Sequence, residues 1–142
     1  MSANFVLDCS VTMSWFFANE ATEKTDDLLA RLGQGDSAIV PLHWRLEVGN
    51  VLIMAERHGR KTRPETAEFL TLLAKLSVET DSQTDRLAHT TTLSLARDHK
   101  LTTYDAAYLD LALNRGVAIA SLDKALRAAA EKVGVEVLPM TL

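Results

Sequence analysis

Four acidic residues stand where apolar segments give them few partners. Asp8 closes the run Phe5-Val6-Leu7, and Asp123 comes shortly after Val117-Ala118-Ile119-Ala120. Asp105 lies near the start of LTTYDAAYLDLAL, Leu101 to Leu113, and Glu47 sits inside WRLEVGNVL. Glu47 is flanked by Leu46 and Val48, with no Lys or Arg three or four positions to either side and Asn50 one turn along. A glutamate in such company is costly to desolvate unless a donor or cation meets it, so it needs a partner elsewhere in the fold, or else stays half exposed. Ser10 and Ser121, each two positions from an aspartate, bring hydroxyls that can hold a carboxylate or a metal-bound water.

Helix capping accounts for any one of Asp8, Asp105 and Asp123, since Asp is favoured at helix starts. It does not account for acids at the ends of two apolar strands together with a third in mid-helix. Four carboxylates converging without bases repel one another, and a divalent cation relieves that repulsion. Oxygen donors suit Mg²⁺ or Mn²⁺ and do not suit zinc. The 4 histidines are scattered without metal-binding spacing. There is no phosphate-cradling glycine loop, no GxSxG and no CxxC.

The elements that must position these acids follow from hydrophobic spacing. Short apolar strands are expected at Phe5–Asp8, Ala38–Val40, Val78, Val117–Ala120 and Val135–Leu138. Helices are expected from a Ser10 cap through Met13, Trp15 and Phe17, then over Thr22–Leu32, Leu42–Arg57, Pro64–Leu76, Asp85–Asp98 and Leu122–Lys132. Another runs from a Thr102 or Thr103 cap to Gly116. Strands alternating with helices imply an α/β fold, a layered α/β/α domain with a short central parallel sheet. In such sheets ligands gather at the carboxyl ends of the strands, where Asp8 and Asp123 fall. Asp110, about 140° round the helix from Asp105, faces elsewhere and reads as a solvated acid.

Composition sets the outer bounds. The 142 residues suit one domain, 1–142, without repeats or linkers. The single cysteine, Cys9, reads as a small core residue and excludes an internal disulfide, which favours the reducing cytoplasm. No segment reaches membrane-spanning length and no basic leader precedes the first strand. A net charge of −4 argues against a nonspecific nucleic-acid coater. The densest basic run is Arg57, Arg60, Lys61 and Arg63, which reads either as a solvated turn or as an RNA or partner contact. Lys124 and Arg127 read as surface residues within possible reach of phosphate, and Trp15 and Trp44 as core residues with base stacking as the alternative.

FVLDCSV, WRLEVGNVL, LTTYDAAYLDLA and IASLDKAL, in that order, resemble the PIN-domain ribonucleases, and most of all the VapC toxins of prokaryotic toxin–antitoxin pairs. The resemblance spans Phe5 to Pro139 and implies a PIN-like fold. Its acidic set falls on Asp8, Glu47, Asp105 and Asp123, and Ser121 matches the small hydroxyl residue that precedes the last acid. The resemblance implies Mg²⁺- or Mn²⁺-dependent hydrolysis of RNA, leaving 5′-phosphate and 3′-hydroxyl ends. Asp8 and Asp105 would be the principal ligands, Asp123 a ligand directly or through water, and Glu47 would orient the attacking water or complete a second site. It also implies inhibition by a small cognate antitoxin and a homodimer, with operator DNA read by the antitoxin rather than by this chain. Two other readings stand beside it: a non-catalytic PIN-like module that binds antitoxin or RNA, and an RNA-processing nuclease without a toxin role. A phosphoacceptor receiver domain would need paired acids after the first strand and a lysine ending the last, and neither FVLDCSV nor VEVLP supplies them.

Overall fold

The computed structural model describes residues 3–142, so the first two positions of the expected domain lie outside the described residues. Five parallel strands form one sheet in the order β3-β2-β1-β4-β5. They are β1 (Phe5–Leu7), β2 (Ala38–Val40), β3 (Val78–Thr80), β4 (Ala118–Ala120) and β5 (Val137–Leu138). β1 lies at the centre, paired through Val6 with Ile39 on one side and Ile119 on the other. Phe5, Val6, Leu7, Ile39 and Ile119 are fully buried, which is why these segments read as continuous apolar runs rather than alternating ones. Helices flank the sheet and make the α/β/α layering that the alternation of elements predicts.

The helices are α1 (Cys9–Ser14), α2 (Glu23–Gly33), α3 (Trp44–Arg57), α4 (Arg63–Ala74), α5 (Thr84–Leu87), α6 (Thr91–His99), α7 (Thr103–Arg115) and α8 (Lys124–Lys132). Several boundaries differ from the sequence reading, each for a local reason. Ser10 does not cap α1. Asp8 occupies that position, and the Ser10 hydroxyl turns to the Asp8 carboxylate. α1 ends at Ser14, leaving Trp15 and Phe17 beyond it. α8 starts at Lys124 because Asp123 caps it, its Oδ1 accepting from the Leu126 N–H at 2.9 Å. α7 behaves as its sequence suggests: Thr102 caps it, and Gly116 closes it at φ 65°, a left-handed conformation that glycine adopts without a Cβ clash.

The single helix expected over Asp85–Asp98 is two, α5 and α6, broken at Ala88–Thr90. Thr90 is non-helical at φ −120°, ψ −104°. Next to the break, the hydroxyls of Thr91 and Thr92 both donate to Asp110 Oδ2 at 2.7 Å. Asn114 adds a bond to Oδ1 at 3.2 Å. Asp110 is therefore buried at 5% exposure and not solvated, and its partners are hydroxyls and an amide rather than a cation. It pins the start of α6 against α7. No helix among the described residues is long and apolar enough to cross a membrane.

Candidate active site

The centre of the sheet sets the geometry. β1 and β4 are neighbours, so the chain leaving each of them emerges at the same edge. Asp8 follows β1, and its N–H donates to the Ala120 carbonyl at 2.9 Å, which extends the pairing by one residue. Its carboxylate is 5% exposed. Oδ2 accepts from Ser10 Oγ at 2.6 Å and from Ser121 Oγ at 2.7 Å. The same two serines hold the chain after β4, since Ser10 Oγ accepts from the Leu122 N–H at 2.9 Å and Ser121 Oγ from the Asp123 N–H at 3.0 Å. Two hydroxyls thus tie the first aspartate to the segment carrying the last.

Burial pushes the Asp8 carboxyl up to about 6; the serine bonds oppose this, and repulsion from Asp105 and Glu47 adds to it. Asp105, half-buried in the first turn of α7, is also raised, by burial first and by Asp123 second, while Thr102 and His43 pull it down. The acids therefore sense one another through space. Asp123 is exposed, and its cap to α8 engages Oδ1. Capping and membership of an acidic centre are compatible for this residue.

Glu47 meets partners that the sequence reading did not find. Its Oε1 accepts from the buried Tyr108 hydroxyl, three residues along α7 from Asp105, and lies 3.5 Å from His43 Nε2. Burial and the bond to Glu47 raise the Tyr108 hydroxyl, so it stays a protonated donor. Asn50 sits exposed on α3, and Glu47 turns to Tyr108 and His43 instead. The signal was present: Tyr108 shares a helix face with Asp105, and His43 precedes Glu47 by one turn.

The set is oxygen-only and short of cations, which fits Mg²⁺ or Mn²⁺. Among the described residues no group of three or more Asp, Glu, His or Cys side chains is placed to hold a metal ion, so the acids stand open rather than as a closed shell. That openness suits a cation that keeps several waters and takes only one or two carboxylates. Cys9, half-buried and packed against the core, is held as a thiol by burial and by Asp8, its pKa pushed up to about 12.

The basic run lies elsewhere. Arg57 is ten residues beyond Glu47 on α3, about 15 Å along the helix axis. Arg60 stacks over Phe17 at 4.2 Å and pairs with Glu20 at 3.9 Å, while Lys61 lies over Phe16 at 4.7 Å and pairs with Glu65 at 3.5 Å. Arg63 opens α4. Lys124 is exposed beside Asp123. Arg127 is not on the surface: at 7% exposure it donates to the carbonyls of Ser121 at 2.9 Å and Pro139 at 2.7 Å. Trp44 is buried, and the half-buried Trp15 packs against the core with its Nε1 donating to the Thr25 carbonyl at 2.8 Å.

A parallel sheet with order 3-2-1-4-5 and acids following its central strands defines a class of open α/β protein in which the carboxyl edge of the sheet is where ligands gather. The chain belongs to the PIN-domain family, whose model matches residues 5–132. PIN domains are generally metal-dependent nucleases. A crystal structure of PAE2754 from Pyrobaculum aerophilum is similar in fold, with a TM-score of 0.65 and 23% identity over 91% of this chain and 87% of that one. Comparison with curated proteins finds no match.

Proposed function

We propose that this chain is an Mg²⁺- or Mn²⁺-dependent endoribonuclease acting as a VapC-type toxin, restrained by a small cognate antitoxin. The observation that carries the reading is Asp8, a buried carboxylate beyond the central strand, held by two serines and raised further by repulsion from Asp105 and Glu47. A divalent cation offsets that repulsion. Asp8 and Asp105 would hold it most directly, with Asp123 and Glu47 completing the site directly or through water. When bound, the cation supplies Lewis acidity toward a phosphoryl oxygen and lowers the pKa of water.

The chain's own residues do the positioning. Ser10 and Ser121 fix the Asp8 carboxylate, and Thr102 fixes the helix turn that presents Asp105. Tyr108 and His43 hold Glu47, which orients a water or accepts its proton. A cleft of about 560 Å³ between α3 and α4, lined by Val48, Leu52, Ile53, Leu70, Leu73 and Leu76, supports the antitoxin reading. None of the four acids lines it, and its apolar walls suit an amphipathic segment. A homodimer in the cytoplasm and operator binding through the antitoxin belong to the same proposal. The open carboxylate arrangement also favours a second reading, a PIN-like module that grips RNA or antitoxin without cutting.

The test is cleavage of total cellular RNA by purified protein with Mg²⁺, Mn²⁺ or EDTA, beside Asp8→Asn and Asp105→Asn. Cutting that needs metal and vanishes in both variants supports the nuclease. Folded protein that neither cuts nor binds Mn²⁺ overturns it in favour of the binding module. Release of activity when a co-expressed small partner is stripped away tests the toxin assignment.

A further inference from the structure

Tyr104 immediately precedes Asp105, yet its side chain is 64% exposed. It is also braced. His43 meets the ring edge-to-face, with centroids 5.7 Å apart and planes at 60°, and His43 Nε2 lies 3.0 Å from the Tyr104 carbonyl oxygen. His43 in turn meets the Tyr108 ring edge-to-face at 5.4 Å and 78°, and Tyr108 holds Glu47. One row of rings therefore runs from the half-buried acid Glu47 outward to an exposed phenol. Leu46, the residue before Glu47, is 79% exposed, so a second apolar side chain lies open beside the acids.

Folding gives no reason for this arrangement, because an aromatic ring left in water forgoes the burial that would stabilise it. A ligand does. Cations are few on this lip: the net charge is −4, Arg45, the nearest cation in sequence to His43 and Glu47, is turned to Thr80 and the Trp44 ring, and Lys124 beside Asp123 is left as an exposed one. A ring face can hold nucleic acid where charge cannot, since every base has a π-face that stacks on an aromatic side chain.

We propose that Tyr104 is a base-stacking platform that seats one unpaired nucleobase beside the acidic centre. The inference deepens the ribonuclease reading and rests on it for the identity of the ligand. Adjacent Cα atoms are about 3.8 Å apart, so the stacked base belongs to a nucleotide at or next to the phosphate that Asp105 addresses. Bases within a duplex keep their faces occupied, so the platform selects single-stranded or looped RNA.

The experiment compares wild type with Tyr104→Phe, Tyr104→Leu and Tyr104→Ala. The probe is a short single-stranded RNA carrying one 2-aminopurine, and the same strand annealed to its complement, each titrated in EDTA and in Ca²⁺. Wild type and Tyr104→Phe should bind the single strand alike and quench 2-aminopurine, whereas Tyr104→Leu and Tyr104→Ala should bind about tenfold more weakly without quenching. The duplex should bind weakly to all four. Thermal unfolding should be nearly unchanged in every variant, because the side chain is exposed. Equal binding and quenching by Tyr104→Ala and wild type, or no binding by wild type, overturns the platform. If Tyr104→Ala loses antitoxin and keeps RNA, the ring is a protein contact and the proposal fails.

Cleavage separates the two proposals. Cutting with an unchanged KM in Tyr104→Ala leaves the nuclease standing and removes the platform. Tyr104-dependent quenching in a protein that never cuts does the reverse.

Discussion

Burial sets the chemistry of Asp8 before any ligand arrives. Its carboxyl keeps a proton to about pH 6 in the folded chain, whereas the ordinary value is 3.8. Between those values the folded state binds the proton and the unfolded state does not, so stability falls as pH rises through this window. By neutral pH the cost is about 3 kcal/mol, as an order of magnitude from a shift of roughly two units. Asp8→Asn keeps an acceptor oxygen for Ser10 and Ser121 without the charge. In EDTA at pH 7.5 it should be the more stable protein by denaturant unfolding, and the advantage should disappear toward pH 4. Parallel stability curves for the two proteins between pH 4 and 7 would refute the assignment. Tyr108→Phe tests the other acid, since a hydrogen bond to a charged group is worth about 1.5–3 kcal/mol. Cleavage should fall about tenfold to a hundredfold, and the melting temperature should drop by several degrees as the bond is lost, the ring still filling its space. The four acids were legible in sequence because isolated charge among apolar residues needs an explanation. Tyr108 and His43 carried a signal in their helical spacing from Asp105 and Glu47, but spacing alone does not say which acid each one holds.

At the scale of elements, Asp110 shows where periodicity misleads. Helical spacing separates it correctly from Asp105 but says nothing about what lies against the opposite face. There it fixes α6, and its loss would leave the Thr91 and Thr92 hydroxyls and the Asn114 amide without their acceptor. Asp110→Ala should cost about 2–3 kcal/mol. Amide exchange should rise first across Thr91–His99, while protection in β1 and β4 persists. Uniform loss of protection would mean that Asp110 holds the whole domain rather than one helix. The strands at the centre of the sheet were legible because parallel strands buried on both faces must be short apolar runs, whereas the edge strand β3, Val78-Glu79-Thr80, is partly exposed and showed only as Val78. The break between α5 and α6 was not. Ala88-His89-Thr90 contains neither Gly nor Pro, and its cause is a side chain nearly twenty residues away. Arg127 was misread for a similar reason: its position on α8 suggests solvent, while the chain end folds over it and supplies carbonyls.

For the whole molecule, the acidic edge and the basic turn are separate regions. Arg60 and Lys61 lie on Phe17 and Phe16, away from the acids, and Lys124 is the exposed cation beside Asp123, so the acidic edge itself offers few cations to release counterions when RNA binds. RNA affinity should therefore depend weakly on salt, with a log–log slope shallower than about −2, where each phosphate neutralised on a single strand contributes about −0.7. A steep slope would place the basic turn in the RNA path. Mn²⁺ should raise the melting temperature by an amount equivalent to about 2.7 kcal/mol at a hundred times its dissociation constant. Asp8→Asn combined with Asp105→Asn should abolish that shift. Finally, Ser121 grips Asp8 across a sequence separation of 113 residues, and Asp123 hangs from the same serine. A ribosome makes Asp8 early and cannot deliver its counterpart until β4 has been synthesised. Until then the nascent chain carries an incomplete centre, with Asp8 lacking Ser121 and the sheet lacking β4, so a chain interrupted short of Ser121 is disarmed by its own topology.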